Sequence, residues 1–417
     1  MLSYKFLFDI AVILLSTKAL GLVTKRFKLP QVVGALLAGL VLGPAVLNIL
    51  HETDFIQQLA ELGVIVLMFT AGLETDIKEL KKSGVASVVI AILGMIVPLI
   101  LGFILANFFN TNNSLDSSLF LQHMFIGVIL TATSVSITVE TLRELGKLNS
   151  NAGNAILGAA IIDDILGIIA LTIVTSLADT SVNIAVVLFK IVLFFVFCGV
   201  VGVIVYYAFK KWCEISGKGM HRHAIIAFVI CLVMAFCAEH FFGVADITGA
   251  FFAGLIISMT QKDQFIASKF DVLSYLLLSP IFFASIGLKV ELPKMGPAII
   301  AFAAVITIVA LLTKIIGCGL GAKLCGYKNY QALRIGVGMI SRGEVALIVA
   351  SKGAAVGLMS NNIMGPIIIV VVITTIITPI LLKPVFNKEI VPIEGEASLA
   401  DNYKKIDEYR TGEKQDN

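Results

Sequence analysis

The sequence predicts an all-α polytopic membrane protein of thirteen transmembrane helices, with an inverted-topology repeat and two crossed discontinuous helices. Three observations carry this. Of 417 residues, 58% are hydrophobic and 14% charged, with a mean hydropathy of +0.98, so water is not the solvent for most of the chain. Apolar runs follow one another at the ~20 residues that a helix needs to cross a ~30 Å hydrocarbon core. Two short segments also recur at one offset of 215 residues. The composition excludes a secreted disulfide scaffold, a soluble multidomain enzyme and a nucleic-acid binder. The runs are continuous rather than alternating, which excludes a spanning β-barrel.

Apolar windows place helices near 7–24, 30–49, 58–74, 85–108, 121–142, 152–177, 184–208, 223–240, 244–259, 271–288, 295–322, 332–352 and 361–386. Lys5 precedes the first span, but its apolar stretch is long and no small-residue cleavage site closes it, so it reads as a retained helix rather than a signal peptide. Basic residues then set orientation. Loops after odd-numbered spans hold 17 Lys and Arg, among them Lys25, Arg26, Lys28, Arg143 and Lys147; the other side has 4, namely Lys5, Lys289, Lys294 and Lys352. The odd loops are therefore expected in the cytoplasm, with the N-terminus outside. The charged segment 387–417 is expected to be a short, solvated cytoplasmic tail. Of the six cysteines, Cys198, Cys231, Cys237 and Cys318 lie in apolar runs and Cys213 and Cys325 in basic loops, without a pairing pattern.

The repeat pairs Gly34-Ala35-Leu36-Leu37-Ala38-Gly39-Leu40 with Gly249-Ala250-Phe251-Phe252-Ala253-Gly254-Leu255. Gly72-Leu73 pairs with Gly287-Leu288 at the same offset. Small-residue packing motifs are common in membrane helices, but agreement of two segments on one offset points to duplication. The copies, about 30–177 and 244–386, start seven spans apart and must run through the membrane in opposite directions. Inverted repeats are a signature of secondary transporters, with sites near the midplane.

Charges inside the spans are costly and persist when paired, hydrated or needed for function. Lys18 and Lys190 lie near helix ends and can snorkel. Lys314 and Arg342 lie deeper, as do Asp163, Asp164 and Glu344. Adjacent helical residues point ~100° apart, so Asp163 and Asp164 need different partners. One can pair with Lys314 while the other faces an aqueous cavity and holds either a proton or a hard cation, which carboxylate oxygens suit; the bland alternative is a static helix-locking ion pair.

The spans 121–142 and 332–352 read as interrupted helices. The first carries Thr131, Thr133, Ser134, Ser136 and Thr138 at mid-depth, and the second Gly336, Gly338, Ser341, Arg342 and Gly343. Hydroxyls compete for backbone hydrogen bonds and glycine loosens the helix. The two are partners in the repeat, and paired discontinuous helices point to a transporter's substrate site. Arg342 and Glu344 would then neutralise half-helix dipoles or each other.

Together, Thr133-Ser134, Ile162-Asp163-Asp164, Lys314 within Thr313-Lys314-Ile315-Ile316-Gly317, and Ser341-Arg342-Gly343-Glu344-Val345 resemble the monovalent cation:proton antiporter-2 family, in its NapA-type sodium/proton branch. The resemblance spans the second to the thirteenth helix. It implies the Na+/H+ antiporter fold, a homodimer in a bacterial plasma membrane, and elevator-type motion of a core domain against a dimerisation domain. By the same resemblance Asp164 carries cation and proton in turn, Asp163 is the salt-bridge partner of Lys314, and Thr133 and Ser134 line the ion site. Arg342 and Glu344 match family positions at the second helix break. The partners it implies are the bilayer, a monovalent cation and the proton. No cofactor is expected beyond the transported Na+ and H+, and no enzymatic activity.

The potassium-efflux branch has Gln-Asp where this chain has Asp163-Asp164, and a large nucleotide-binding domain besides. Both differences argue against it, although potassium as a substrate stays open alongside sodium and lithium. An intramembrane aspartyl protease takes its two acids from different helices, and no Gly-x-Gly-Asp motif occurs. A channel needs a continuous pore rather than a twofold inverted repeat. An organic-anion transporter of related fold is disfavoured by the acid pair.

Overall fold

The computed structural model describes residues 4–27, 29–109, 117–178, 183–215, 220–260, 262–291 and 295–387. Lys28, Lys218, Lys294 and all of the expected tail after Asn387 lie outside the described residues. Among those described, no strand occurs. The α-helices are α1 (Lys5–Arg26), α2 (Gln31–Leu42), α3 (Asp54–Glu74), α4 (Ile77–Phe109), α5 (Leu119–Thr131), α6 (Val135–Glu144), α7 (Asn151–Ala178) and α8 (Ile184–Ile215). They continue with α9 (Met220–Cys237), α10 (Asp246–Ser258), α11 (Asp263–Leu273), α12 (Ser279–Leu288), α13 (Pro297–Leu324), α14 (Asn329–Gly338), α15 (Glu344–Ala355) and α16 (Asn361–Asn387). Ten helical stretches among the described residues are long and apolar enough to cross a membrane, counting α5 with α6 and α11 with α12 as single stretches. The shorter α2 and α10 are also apolar.

Local chemistry sets the boundaries. Thr53 caps α3 by accepting from the Ile56 amide, and Ser118 caps α5 through Leu121, each satisfying an amide that the first turn leaves unpaired. The helix expected over 30–49 ends instead at Leu42. Gly43 is extended, Pro44 has no amide to continue the ladder, and the amides of Leu47, Ile49 and Leu50 return to Val41 and Leu42 carbonyls. The helix expected from 271 begins eight residues earlier, because the amphipathic 263–270 stretch carries too many polar residues for an apolar window. Between α11 and α12 the chain widens into a π turn over Ser274–Leu278. Pro280, two residues later, cannot donate to the turn before it. Gly243, at φ 65°, ends a second π turn, Ala238–Phe242.

Two bundles result. One contains α1, α2, α3 and α9 to α12; the other contains α4 to α7 and α13 to α16; α8 runs beside both α7 and α10. Backbones approach closely within each bundle and sparsely between them. In the first bundle α2 crosses α12 and α3 crosses α10 at backbone contact. Gly39 lies on the Ala284 carbonyl, and Gly287 on the Leu36 carbonyl and Leu40 amide. Gly254 lies on the Phe69 carbonyl, and Gly72 on the Phe251 carbonyl and Leu255 amide. Each contact of one crossing maps onto the other through the 215-residue offset, with the two copies exchanged. A methyl group at any of the four glycines would overlap backbone atoms, which is why the small residues recur there.

Candidate functional site

The second bundle carries the site. Its two interrupted helices meet at their breaks: α5 stops at Thr131 and α6 starts at Val135, while α14 stops at Gly338 and α15 starts at Glu344. The extended segments touch where the Ser134 amide donates to the Ser341 carbonyl at 2.7 Å, and Thr138 Oγ1 donates to the Gly338 carbonyl at 2.7 Å. Gly343 sits on Ser134, and a β-carbon there would lie 2.7 Å from Ser134 Oγ. Close approach, rather than a special backbone angle, is what requires glycine at this position.

Broken helices leave carbonyls at each C-terminal end without intrahelical partners. Arg342, wholly buried, supplies donors to both ends: Nη1 to the Ile340 carbonyl at 3.0 Å and Nη2 to the Leu130 carbonyl at 2.7 Å. Its positive charge also lies where the half-helix dipoles are negative. The peptide at Arg342 is held from α16, with its amide donating to Thr374 Oγ1 and its carbonyl accepting from Thr375 Oγ1 at 2.5 Å. Thr374 and Thr375 escaped the sequence reading; the available signal was two adjacent hydroxyls in the middle of an otherwise apolar run.

α7 passes beside this crossing. Asp163 is 3% exposed and Lys314, from α13, is 0% exposed, so the lysine cannot snorkel to an interface. Its Nζ donates to both carboxylate oxygens of Asp163, at 3.0 and 2.9 Å. Thr133 Oγ1 donates to Asp163 Oδ2 at 2.6 Å. The pair thus ties α7 to α13 and to the first break. Gly94 on α4 leaves room for Cys318 and the Lys314 ammonium. Asp164, one residue on and turned ~100° away, is partly exposed and has no hydrogen-bond or ion-pair partner among the described residues. Ser134 Oγ lies 3.3 Å from Ser136 Oγ, and the buried hydroxyl of Ser341 has no partner among the described residues.

Of the seven residues singled out, Asp163, Lys314, Thr133, Ser134 and Arg342 converge on the crossing, with Asp164 beside them. Glu344 does not join them by an ion pair. Two readings were open for Arg342 and Glu344, and the geometry separates them: Arg342 serves the helix ends, while Glu344 begins α15 and lies 3.3 Å from Lys289 Nζ, which also contacts Glu52 at 3.3 Å. Glu344 sits in the first turn of α15, where the dipole is positive and an acid is favoured.

Residues 11–388 match the family model described as "Sodium/hydrogen exchanger, transmembrane". The Na(+)/H(+)-K(+) antiporter GerN of Bacillus cereus is 39% identical over 388 residues, covering 93% of this chain and 97% of that protein. A Na(+)/H(+) antiporter of Enterococcus hirae is 36% identical over 397 residues, covering 93% and 99%. Among solved structures, the sodium proton antiporter MjNhaP1 of Methanocaldococcus jannaschii superimposes with a TM-score of 0.69 at 17% identity, covering 94% of this chain and all of that one. That last likeness is one of fold. The matched description names the family and not the antiporter-2 branch expected from the sequence. With nearly its whole length accounted for, this chain belongs to the transmembrane sodium/hydrogen exchanger family.

Proposed function

We propose that this chain exchanges a cytoplasmic monovalent cation, Na+ and also Li+, for external protons, and that Asp164 is the group for which cation and proton compete. One observation carries the reading: a partly exposed carboxylate with no partner stands next to a locked Asp163–Lys314 pair, at the crossing of two broken helices. A carboxylate already held by an ammonium is a poor place to load a cation; a partly exposed one with its oxygens free is a good one. In this reading Thr133 and Ser134 line the site, Arg342 keeps the breaks satisfied in every state, and proton binding at Asp164 expels the cation.

The finer features belong to the same proposal. Thirteen crossings follow from the ten long spans together with α2, α10 and the interrupted α14–α15. The antiporter-2 assignment rests on the adjacent acids and their lysine. The sparse contact between bundles supports an elevator-type displacement of the site-bearing bundle, with the other bundle as the dimerising scaffold of a homodimer. Electrogenic exchange, more protons than cations per cycle, follows if the Asp163–Lys314 pair also changes protonation as the site loads. The excess of basic residues in odd loops supports an outside N-terminus. GerN is named for sodium and potassium, and K+/H+ exchange by this chain is the alternative the assay must separate. Proteoliposomes holding a proton gradient, challenged in turn with Na+, Li+ and K+, test the reading: dissipation by Na+ and Li+ supports it. Dissipation by K+ alone replaces the ion, and none by any of the three removes the function.

A further inference from the structure

Two ion-pair clusters lie away from the crossing, and each joins the two bundles. In the first, Arg143 near the end of α6 donates from Nε to Glu74 Oε1 at 3.0 Å, and its Nη2 contacts both Glu74 and Asp271. Glu74 ends α3 and Asp271 belongs to α11. The second is Lys289, just past α12, held between Glu52 and Glu344. α3 has 21 residues, ~30 Å of helix, so Glu74 at its end and Glu52 before its start put the clusters at opposite faces. All of these side chains are largely buried, at 16–34% exposure, and they sit where backbone packing between the bundles is thin.

The repeat relates them. Glu74 and Lys289 are 215 residues apart, the same offset as the glycine crossings, so one structural position carries an acid in the first copy and a base in the second. Each reaches across to the interrupted helix of the other bundle, α6 or α15. The reach differs: Arg143 is the ninth residue of α6, whereas Glu344 is the first of α15. Alternating access in inverted-repeat transporters moves one repeat or bundle against the other around a fixed site, and exchanging the contacts of the two copies gives a second arrangement. Counted from the start of each half-helix, an offset of 209 because the second break is longer than the first, the exchange would bring Lys289 to the ninth residue of α15, Lys352, and Glu74 to the first of α6, Val135. One contact becomes a like-charge approach and the other has no basic partner.

We infer that Arg143 and Lys289 are the two ends of a state-specific latch, holding the site-bearing bundle against the scaffold in the access state seen here and opening together when it moves. The inference rests on the exchange function proposed above. Both ends favour the same state, so releasing either shifts the equilibrium in the same direction.

The test is the apparent KM for Na+ from each face of oriented proteoliposomes, for Arg143→Gln, Lys289→Gln and the double variant. Each single variant is expected to weaken Na+ binding about three- to tenfold on one face, the range for a coupling of ~0.6–1.4 kcal/mol, and to strengthen it on the other, with the same face weakened by both. The shifts multiply in the double variant, and Arg143→Lys, with one ammonium in place of the fork, recovers part of the loss. If Arg143→Gln does not fold, Glu74→Gln combined with Asp271→Asn releases the same arginine from the scaffold side. Shifts of opposite sign at the two ends, or unchanged KM on both faces in active variants, would overturn the latch and leave the exchange function standing. Absence of Na+-coupled proton movement in the wild type would overturn both.

Discussion

Replacing Lys314 by methionine removes one member of a buried pair and leaves the other in place. Asp163 would keep only the Thr133 hydroxyl bond of the three it now accepts, and its charge would stand in a site that is 3% exposed. Breaking a buried ion pair from one side costs ~3–5 kcal/mol, while exchanging both members for apolar residues of similar volume is often neutral. Lys314→Met alone is therefore expected to lower the midpoint of thermal unfolding in detergent by roughly 3–5 °C, at about 1 °C per kcal/mol for a chain of this size. Lys314→Met combined with Asp163→Leu should recover most of that loss. The remainder is the lost hydrogen bond from Thr133 to Asp163, about 1 kcal/mol. A single variant as stable as the wild type, or a double variant no better than the single, would refute the picture of Asp163 as a structural anion neutralised by Lys314.

Two further substitutions probe the crossing. Arg342→Met leaves the Leu130 and Ile340 carbonyls without donors and should cost ~2–6 kcal/mol, at ~1–3 kcal/mol for each buried acceptor; Arg342→Lys, with one compact ammonium in place of a planar fork, should recover only part of this in the same unfolding assay. Gly343→Ala places a methyl against Ser134 and should cost ~1–3 kcal/mol through overpacking, with the loss reversed by adding Ser134→Gly.

Much of the site was legible because charge is scarce in an apolar chain. Asp163, Asp164, Lys314 and Arg342 stand out against runs of Ile, Leu and Val, and the adjacency of the two acids required different environments for them, while the family resemblance assigned the pairing to Asp163. Hydroxyl density around Thr133 and glycines around Arg342 marked the two breaks. The sequence did not show which partner each charge would take. Arg342 and Glu344 are two residues apart and invite pairing, yet the non-helical backbone between Gly338 and Glu344 sends them to different neighbours. Thr374 and Thr375 were missed because a hydroxyl in an apolar helix usually returns to its own backbone, as Thr378 does. The helix starts at Asp263 and Ile77 were missed because windows tuned to apolar runs pass over polar turns that are nonetheless helical. The glycine repeat was legible as a pattern, while the exchange of contacts between α2–α12 and α3–α10 needed coordinates.

The central claim is that Asp164, and not Asp163, is where cation and proton compete. The direct measurement is Na+-driven proton movement in proteoliposomes containing Asp164→Asn, alongside its thermal unfolding. Asp164 has no hydrogen-bond or ion-pair partner to lose among the described residues, so the variant should unfold within about 1 °C of the wild type while exchange falls to the level of empty liposomes. Exchange that persists with a sodium-dependent rate would contradict the account.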